Sequence, residues 1–187
     1  TPIASSAASD VYKRQDSKTK FLHSEIREKT VMTKTAAYVL AATLDKHGVD
    51  VAYCVPGESY LPLTDALIDF PNIQLVVCRH EGGAGFMAAA HARLRNEVGV
   101  CVISRGPGAM NTAIALHVAY HDAEPVVFLV GQAEMDELGR NALQEMNYST
   151  TFSDTAKMVI EVLDPSRIAE SGARAFPVAQ AGTPGPV

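Results

Sequence analysis

The chain has 187 residues, room for one domain of ordinary size and too few for two full ones. Its 47% hydrophobic and 20% charged residues are those of a folded globular protein, which excludes disorder or collagen-like order for the chain as a whole. With 16 Lys and Arg against 21 Asp and Glu, the net charge of -5 leaves no domain-wide positive field for nucleic acid or anionic lipid, and neither is expected as a partner.

Residues 1–31 are Ser-rich and then dense in charge, with apolar residues at neither helical nor strand period, and they read as a disordered leader or a non-native extension. They lack the basic start and apolar core of a secretory signal. Met32 follows directly and would be the natural initiator on the second of these readings, and the folded domain is expected to span 32–187. Apolar residues at Ala36, Ala37, Leu40, Ala41 and Leu44 share one helical face, with Thr33 as the expected cap and Gly48 as the stop. Residues 51–55 form an apolar, β-branched run closed by Pro56-Gly57, the pattern of a buried strand meeting a turn. The alternation repeats as helix 60–70 and strand 73–78, helix 85–95 and strand 99–104, helix 109–120 and strand 126–131. A fifth strand over 158–163 precedes a helix from Asp164-Pro165. No apolar run nears the roughly 20 residues of a membrane span. Cys54, Cys78 and Cys101 each lie in an apolar run, which predicts three buried thiols and a reducing, cytoplasmic address.

Continuous apolar strands alternating with helices predict an α/β fold, doubly wound, with a mainly parallel sheet covered by helices on both faces. Ligands of such sheets bind beyond the carboxyl ends of the strands. The loops there are 56–59, 79–83, 104–108 and 131–134. Arg79-His80-Glu81-Gly82-Gly83 is the richest, with three ionisable side chains followed by small residues. Glu81 has two readings: a carboxylate in a low-dielectric crevice that exchanges a proton with a ring nitrogen, or a cap of the next helix, where a negative side chain meets the dipole. Gly106-Pro107-Gly108 is a turn that offers backbone amides to an anion or a flat ring, or else a tight connection with Asn111 in the first helical turn. His117 and His121 share a helix face, but without an HExxH pattern and with only Asp122 nearby no metal site is expected. Gly83 to Ala88 fits the GxGxxG/A dinucleotide fingerprint, with Arg105 available for a 2′-phosphate. Four residues, Arg79 to Gly82, separate it from the strand, and Glu81 would repel a pyrophosphate.

Six segments in order carry a resemblance: Cys54-Val55-Pro56-Gly57-Glu58-Ser59, the Arg79 to Ala88 loop, Gly99 to Asn111 through Ser104-Arg105-Gly106-Pro107-Gly108, Pro125 to Gln132, Leu143-Gln144-Glu145, and Gly182 to Val187. From about Thr33 onward the chain resembles the N-terminal pyrimidine-binding domain of thiamine diphosphate-dependent enzymes, in the acetolactate synthase-like branch. The resemblance implies carboligation or decarboxylation of a 2-oxo acid with thiamine diphosphate. By it, Glu81 corresponds to the glutamate that hydrogen-bonds the ring nitrogen of the cofactor's aminopyrimidine and stabilises its imino tautomer. Pro56, Gly57, Pro107, Asn111 and Gln144 match positions that line the pyrimidine pocket or approach the substrate. It further implies a homo-oligomer, in which this domain pairs with a diphosphate-binding domain of another subunit and exposes an apolar crevice around Ala84, Phe86 and Met87.

The chain departs from that pattern at Arg105, where a plain Ser-Gly-Pro-Gly is common, at Leu143 in place of Phe, and at Glu124 in place of an apolar residue. The family's Gly-Asp-Gly diphosphate and magnesium motif is absent from the chain. Two explanations follow: a fragment of a longer polypeptide, which is the expectation here, or a stand-alone subunit of a two-subunit 2-oxo acid decarboxylase. Either way this chain alone is expected to be inactive, with Mg2+ held by a diphosphate-binding domain outside it.

Overall fold

The structure, a computed structural model, describes residues 34–187, and Thr35–Val187 forms one compact unit. The expected leader and the start at Met32 lie outside the described residues. Helix α1, Ala36–Lys46, has its cap two residues later than the expected Thr33. Thr35 takes that role, its Oγ1 accepting from the Tyr38 N–H at 3.1 Å. Gly48 ends the helix at φ +76°, a conformation open to glycine without a Cβ penalty.

Four strands follow, β1 Val51–Cys54, β2 Gln74–Val77, β3 Gly99–Ile103 and β4 Val126–Val130. They pair in parallel in the order β2-β1-β3-β4. A single 3-10 turn, Glu58–Tyr60, and the short helix α2, Leu61–Leu67, connect β1 to β2. Helix α3, Glu81–Arg95, crosses from β2 to β3, and α4, Gly106–His121, from β3 to β4. A one-turn helix α5, Tyr148–Thr151, and the long α6, Ile168–Gln180, come after β4.

The central strand β3 is buried at every residue. Its side chains alternate between faces, so Val100 and Val102 enter one apolar cluster with Leu44 of α1, Leu63 of α2 and Phe176 of α6. Cys101 and Ile103 enter the other, with Ala88 of α3 and Leu116 of α4. Helices therefore cover both faces, as a doubly wound α/β domain requires. Each fully buried Val or Leu contributes about 1.5–3 kcal/mol.

Three expectations need correction. Among the described residues β2 is an edge strand paired with β1 alone, and Val77 is 62% exposed, so its apolar run is not buried on both faces. The run 158–163 is no strand. The ladder position beside β4 is held by Val187, whose N–H donates to Val126 O at 2.9 Å and whose carbonyl accepts from Phe128 N–H at 2.8 Å. The Lys157 N–H in turn donates to Pro186 O at 2.8 Å, so residues 186–187 lie between β4 and the 158–163 run, which borders an apolar cavity of about 410 Å3 instead of a partner strand. Of the three cysteines, Cys54 and Cys101 are buried and Cys78 is only half-buried, because β2 lies at the edge. Burial pushes the Cys54 and Cys101 thiols up, which keeps both protonated.

Candidate active site

β1 hands the chain to β2 on one side and β3 hands it to β4 on the other, so the carboxyl ends of these two neighbours diverge and open a crevice. Small residues let the loops meet at its floor. A Cβ on Gly57 would stand 2.5 Å from Ser104 Cβ, and one on Gly131 would stand 2.0 Å from Ser59 Oγ. The Ser59 and Ser104 hydroxyls are 3.1 Å apart. Tyr60, buried below, donates its hydroxyl to Val55 O, and burial raises its phenol pKa. Tyr148 donates to Gly131 O at 2.8 Å, and burial pushes its phenol up to about 12.

Glu81 is the first residue of α3 and half-buried. The cap is the preceding His80, whose Nδ1 accepts from the Gly82 N–H at 3.1 Å, which leaves the Glu81 carboxylate available for another role. Asn111 of α4 donates Nδ2 to Glu81 Oε2 at 3.0 Å. Gly106-Pro107-Gly108, expected as a turn ahead of a helix from 109, instead forms the first turn of α4, where the missing Pro107 N–H costs no helical bond. A Cβ on Gly108 would lie 3.4 Å from Glu81 Oε1, so the glycine leaves that oxygen open at van der Waals distance.

Five of the six expected residues thus converge by contact or shared loop: Glu81 with Asn111 directly, Pro107 in the turn that faces Glu81, Gly57 through Ser104, and Gln144 through its carbonyl, which accepts from the Gly106 N–H at 3.1 Å. Pro56 stands exposed beside Gly57. Ser59, Ser104 and Gly131 lie in the loops marked from sequence but carry no role there, and the sequence reading gives the cap to Glu81 and not to His80. Two serines and a glycine in loops look like any other turn residues until the strand order brings the loops together.

The remaining candidates behave differently. Gly83 to Ala88 lie inside α3 and not in a turn ahead of it, which removes the dinucleotide fingerprint. His117 and His121 lie 4.5 Å apart between ring centroids, tilted by 50°, on one face of α4, but Asp122 is bonded to Arg93 at 2.8 Å. Among the described residues the metal-like grouping is Asp50, His91 and Glu97, at the opposite end of the sheet, where Arg95 bonds to Asp50 at 3.1 Å and stands 3.6 Å from Glu97. Glu124 is buried and paired with Arg93, which explains how a carboxylate is accommodated there. The expected apolar crevice is half right: Ala84 is buried, while Phe86 and Met87 are exposed, along with Met110 and Ile114 of α4.

Residues 34–151 match the family model described as thiamine pyrophosphate enzyme, N-terminal TPP binding domain. The chain is 36% identical over 151 residues to a probable acetolactate synthase large subunit of Methanocaldococcus jannaschii, covering 81% of this chain and 25% of that protein. It is 37% identical over 153 residues to an acetolactate synthase of Mycobacterium bovis, with 82% and 25% covered. It is 32% identical over 153 residues to the acetolactate synthase large subunit of Lactococcus lactis, with 82% and 27% covered. The chain spans about a quarter of the length of these relatives.

Proposed function

The chain belongs to the thiamine pyrophosphate enzyme family through that N-terminal TPP binding domain, and on this premise we propose that Glu81 serves cofactor activation in a cytoplasmic acetolactate synthase-like enzyme acting on a 2-oxo acid such as pyruvate. The observation that carries the reading is the half-buried Glu81 carboxylate at the mouth of the β1–β3 crevice, with Oε2 held by Asn111 and Oε1 beside Gly108.

The residues fit an aminopyrimidine ring. A carboxyl with one oxygen already anchored keeps its second oxygen in a fixed direction, suited to sharing a proton with a weakly basic ring nitrogen. Gly57 and the Gly106-Pro107-Gly108 turn offer backbone without side-chain bulk, as a flat ring needs, and Asn111 orients the glutamate. Gln144, whose carbonyl accepts from the Gly106 N–H at 3.1 Å, is read by the resemblance as the residue that approaches the substrate. Thiamine diphosphate supplies the electron sink for loss of carbon dioxide, which no side chain here can provide. Hard Mg2+ needs carboxylate or carbonyl oxygens together with the phosphates. No such grouping adjoins Glu81 among the described residues. The ion and diphosphate are therefore assigned to a diphosphate-binding domain of a partner subunit in a homo-oligomer, a reading supported by exposed Phe86, Met87, Met110 and Ile114 flanking the crevice.

The test is Glu81→Gln in the complete enzyme. Turnover of the 2-oxo acid is expected to fall at least about 10²-fold, the scale of losing a proton-transfer group. Undiminished cofactor-dependent turnover would remove Glu81 from this role.

A further inference from the structure

Arg105 is the residue at which the sequence departs most visibly from a plain Ser-Gly-Pro-Gly turn, and nothing above uses its side chain. That side chain is only 12% exposed. Its Nη1 donates to Leu143 O at 3.1 Å and stands 3.7 Å from Glu58 Oε1. The very next residue, Gly106, donates its N–H to the very next carbonyl, Gln144 O, at 3.1 Å. Two consecutive residues at the end of β3 therefore hold two consecutive carbonyls of the loop that carries Gln144.

That loop has a shape that needs holding. Gly139, Asn141 and Gln144 all have left-handed backbones, at φ +77°, +57° and +61°. A non-glycine residue such as Gln144 keeps that conformation only where its surroundings over-determine it. Internally the loop is tied by Glu145, whose carboxylate accepts from the Gly139 N–H at 2.6 Å and the Ala142 N–H at 3.1 Å. The loop is thus a small rigid tile, and Arg105 with Gly106 fixes its tilt. A planar guanidinium suits the task, since it serves a carbonyl and a carboxylate from one rigid, pre-organised group, where an ammonium on a flexible stem holds them less firmly.

We propose that Arg105 is a positioning residue that locks the Gln144 loop against the end of β3 and so sets how the substrate side of the crevice fits its 2-oxo acid. The inference rests on the function proposed above. Gly106 also begins the turn that reaches Glu81 through Gly108, so the loop and the cofactor side share one anchor but are held by different atoms. Loosening Arg105 should disturb the first and spare the second.

In the complete enzyme, Arg105→Ala is expected to raise KM for pyruvate about tenfold, the effect of losing a hydrogen bond from a charged donor, with kcat and thiamine diphosphate affinity nearly unchanged. Amide hydrogen exchange over 139–146 should quicken. Arg105→Lys should fall between wild type and Ala. Gly106→Ala reaches the same carbonyl by another route, since its methyl would stand 3.0 Å from Gln144 O, and it should reproduce the KM and exchange changes. Unchanged exchange and KM in both Arg105→Ala and Gly106→Ala would overturn the proposal, as would a loss of cofactor affinity in Arg105→Ala as steep as the rise in KM. If the wild-type enzyme turns over no 2-oxo acid, the function proposed above fails, and the exchange measurement alone decides the lock: faster exchange upholds it and unchanged exchange overturns it.

Discussion

Gly57→Ala tests whether the floor of the crevice depends on the close approach of the β1 and β3 loops. At φ -155° and ψ 149° the position is extended backbone that alanine adopts freely, so the effect is steric alone. The new methyl would stand 2.5 Å from Ser104 Cβ and 2.6 Å from its Oγ, while Tyr60 Cε1 at 3.4 Å is an ordinary contact. Ser104 cannot simply turn away, because its hydroxyl faces Ser59 at 3.1 Å. Overpacking of this kind costs about 1–3 kcal/mol. For a domain of this size, each kcal/mol lowers the midpoint of thermal unfolding by about 2–4 °C. Ser104→Gly alone should cost about 1 kcal/mol through the lost hydroxyl contact and added chain freedom. Combined with Gly57→Ala it removes the clash, so the pair should be less damaging than the sum of the singles by about 1–2 kcal/mol. Urea unfolding of wild type, both singles and the double closes the cycle, with the slope unchanged if only stability moves. Strictly additive singles, or a neutral Gly57→Ala, would refute the close approach.

Glu124 is held above the ordinary carboxylate range by burial, with Arg93 pulling the other way. Arg93→Ala should therefore cost about 1–3 kcal/mol at pH 7, the charge being left buried without its partner. A raised folded pKa means that the folded chain takes up its proton first as pH falls, so the deficit should shrink from pH 7 towards the unfolded value near 4.3; a deficit in urea midpoint that ignores pH would contradict this. Calorimetric titration of the 187-residue chain with thiamine diphosphate and magnesium should show millimolar or weaker binding, since a few ring contacts set against an association cost of about 4–15 kcal/mol leave little; a micromolar, magnesium-dependent isotherm would reveal a diphosphate site within this chain. Sedimentation should show self-association or poor solubility through the face bearing Phe86, Met87, Met110 and Ile114, and a well-behaved monomer at high concentration would count against that surface as an interface.

The amino-acid sequence alone determined the alternation of helices with apolar strands in a mainly parallel sheet, reading five strands of which four form, because an apolar run bounded by turn residues is a local signal that needs no knowledge of neighbours. It also located Glu81 at a strand end, since Arg79-His80-Glu81 follows β2 directly. What the tertiary structure decided is everything that depends on who stands beside whom. β2 reads as greasily as β3, yet the order β2-β1-β3-β4 leaves it at an edge and leaves Val77 and Cys78 accessible. The 158–163 run has a strand's composition, but a strand exists only with a ladder partner, and Val187 holds the place beside β4. Asn111 meets Glu81 from 30 residues away, and Arg105 meets Leu143 from 38. Both pairings arise where α3 and α4 cover one face of the sheet and the β1 and β3 ends diverge, a geometry set by strand order and invisible to any window along the chain.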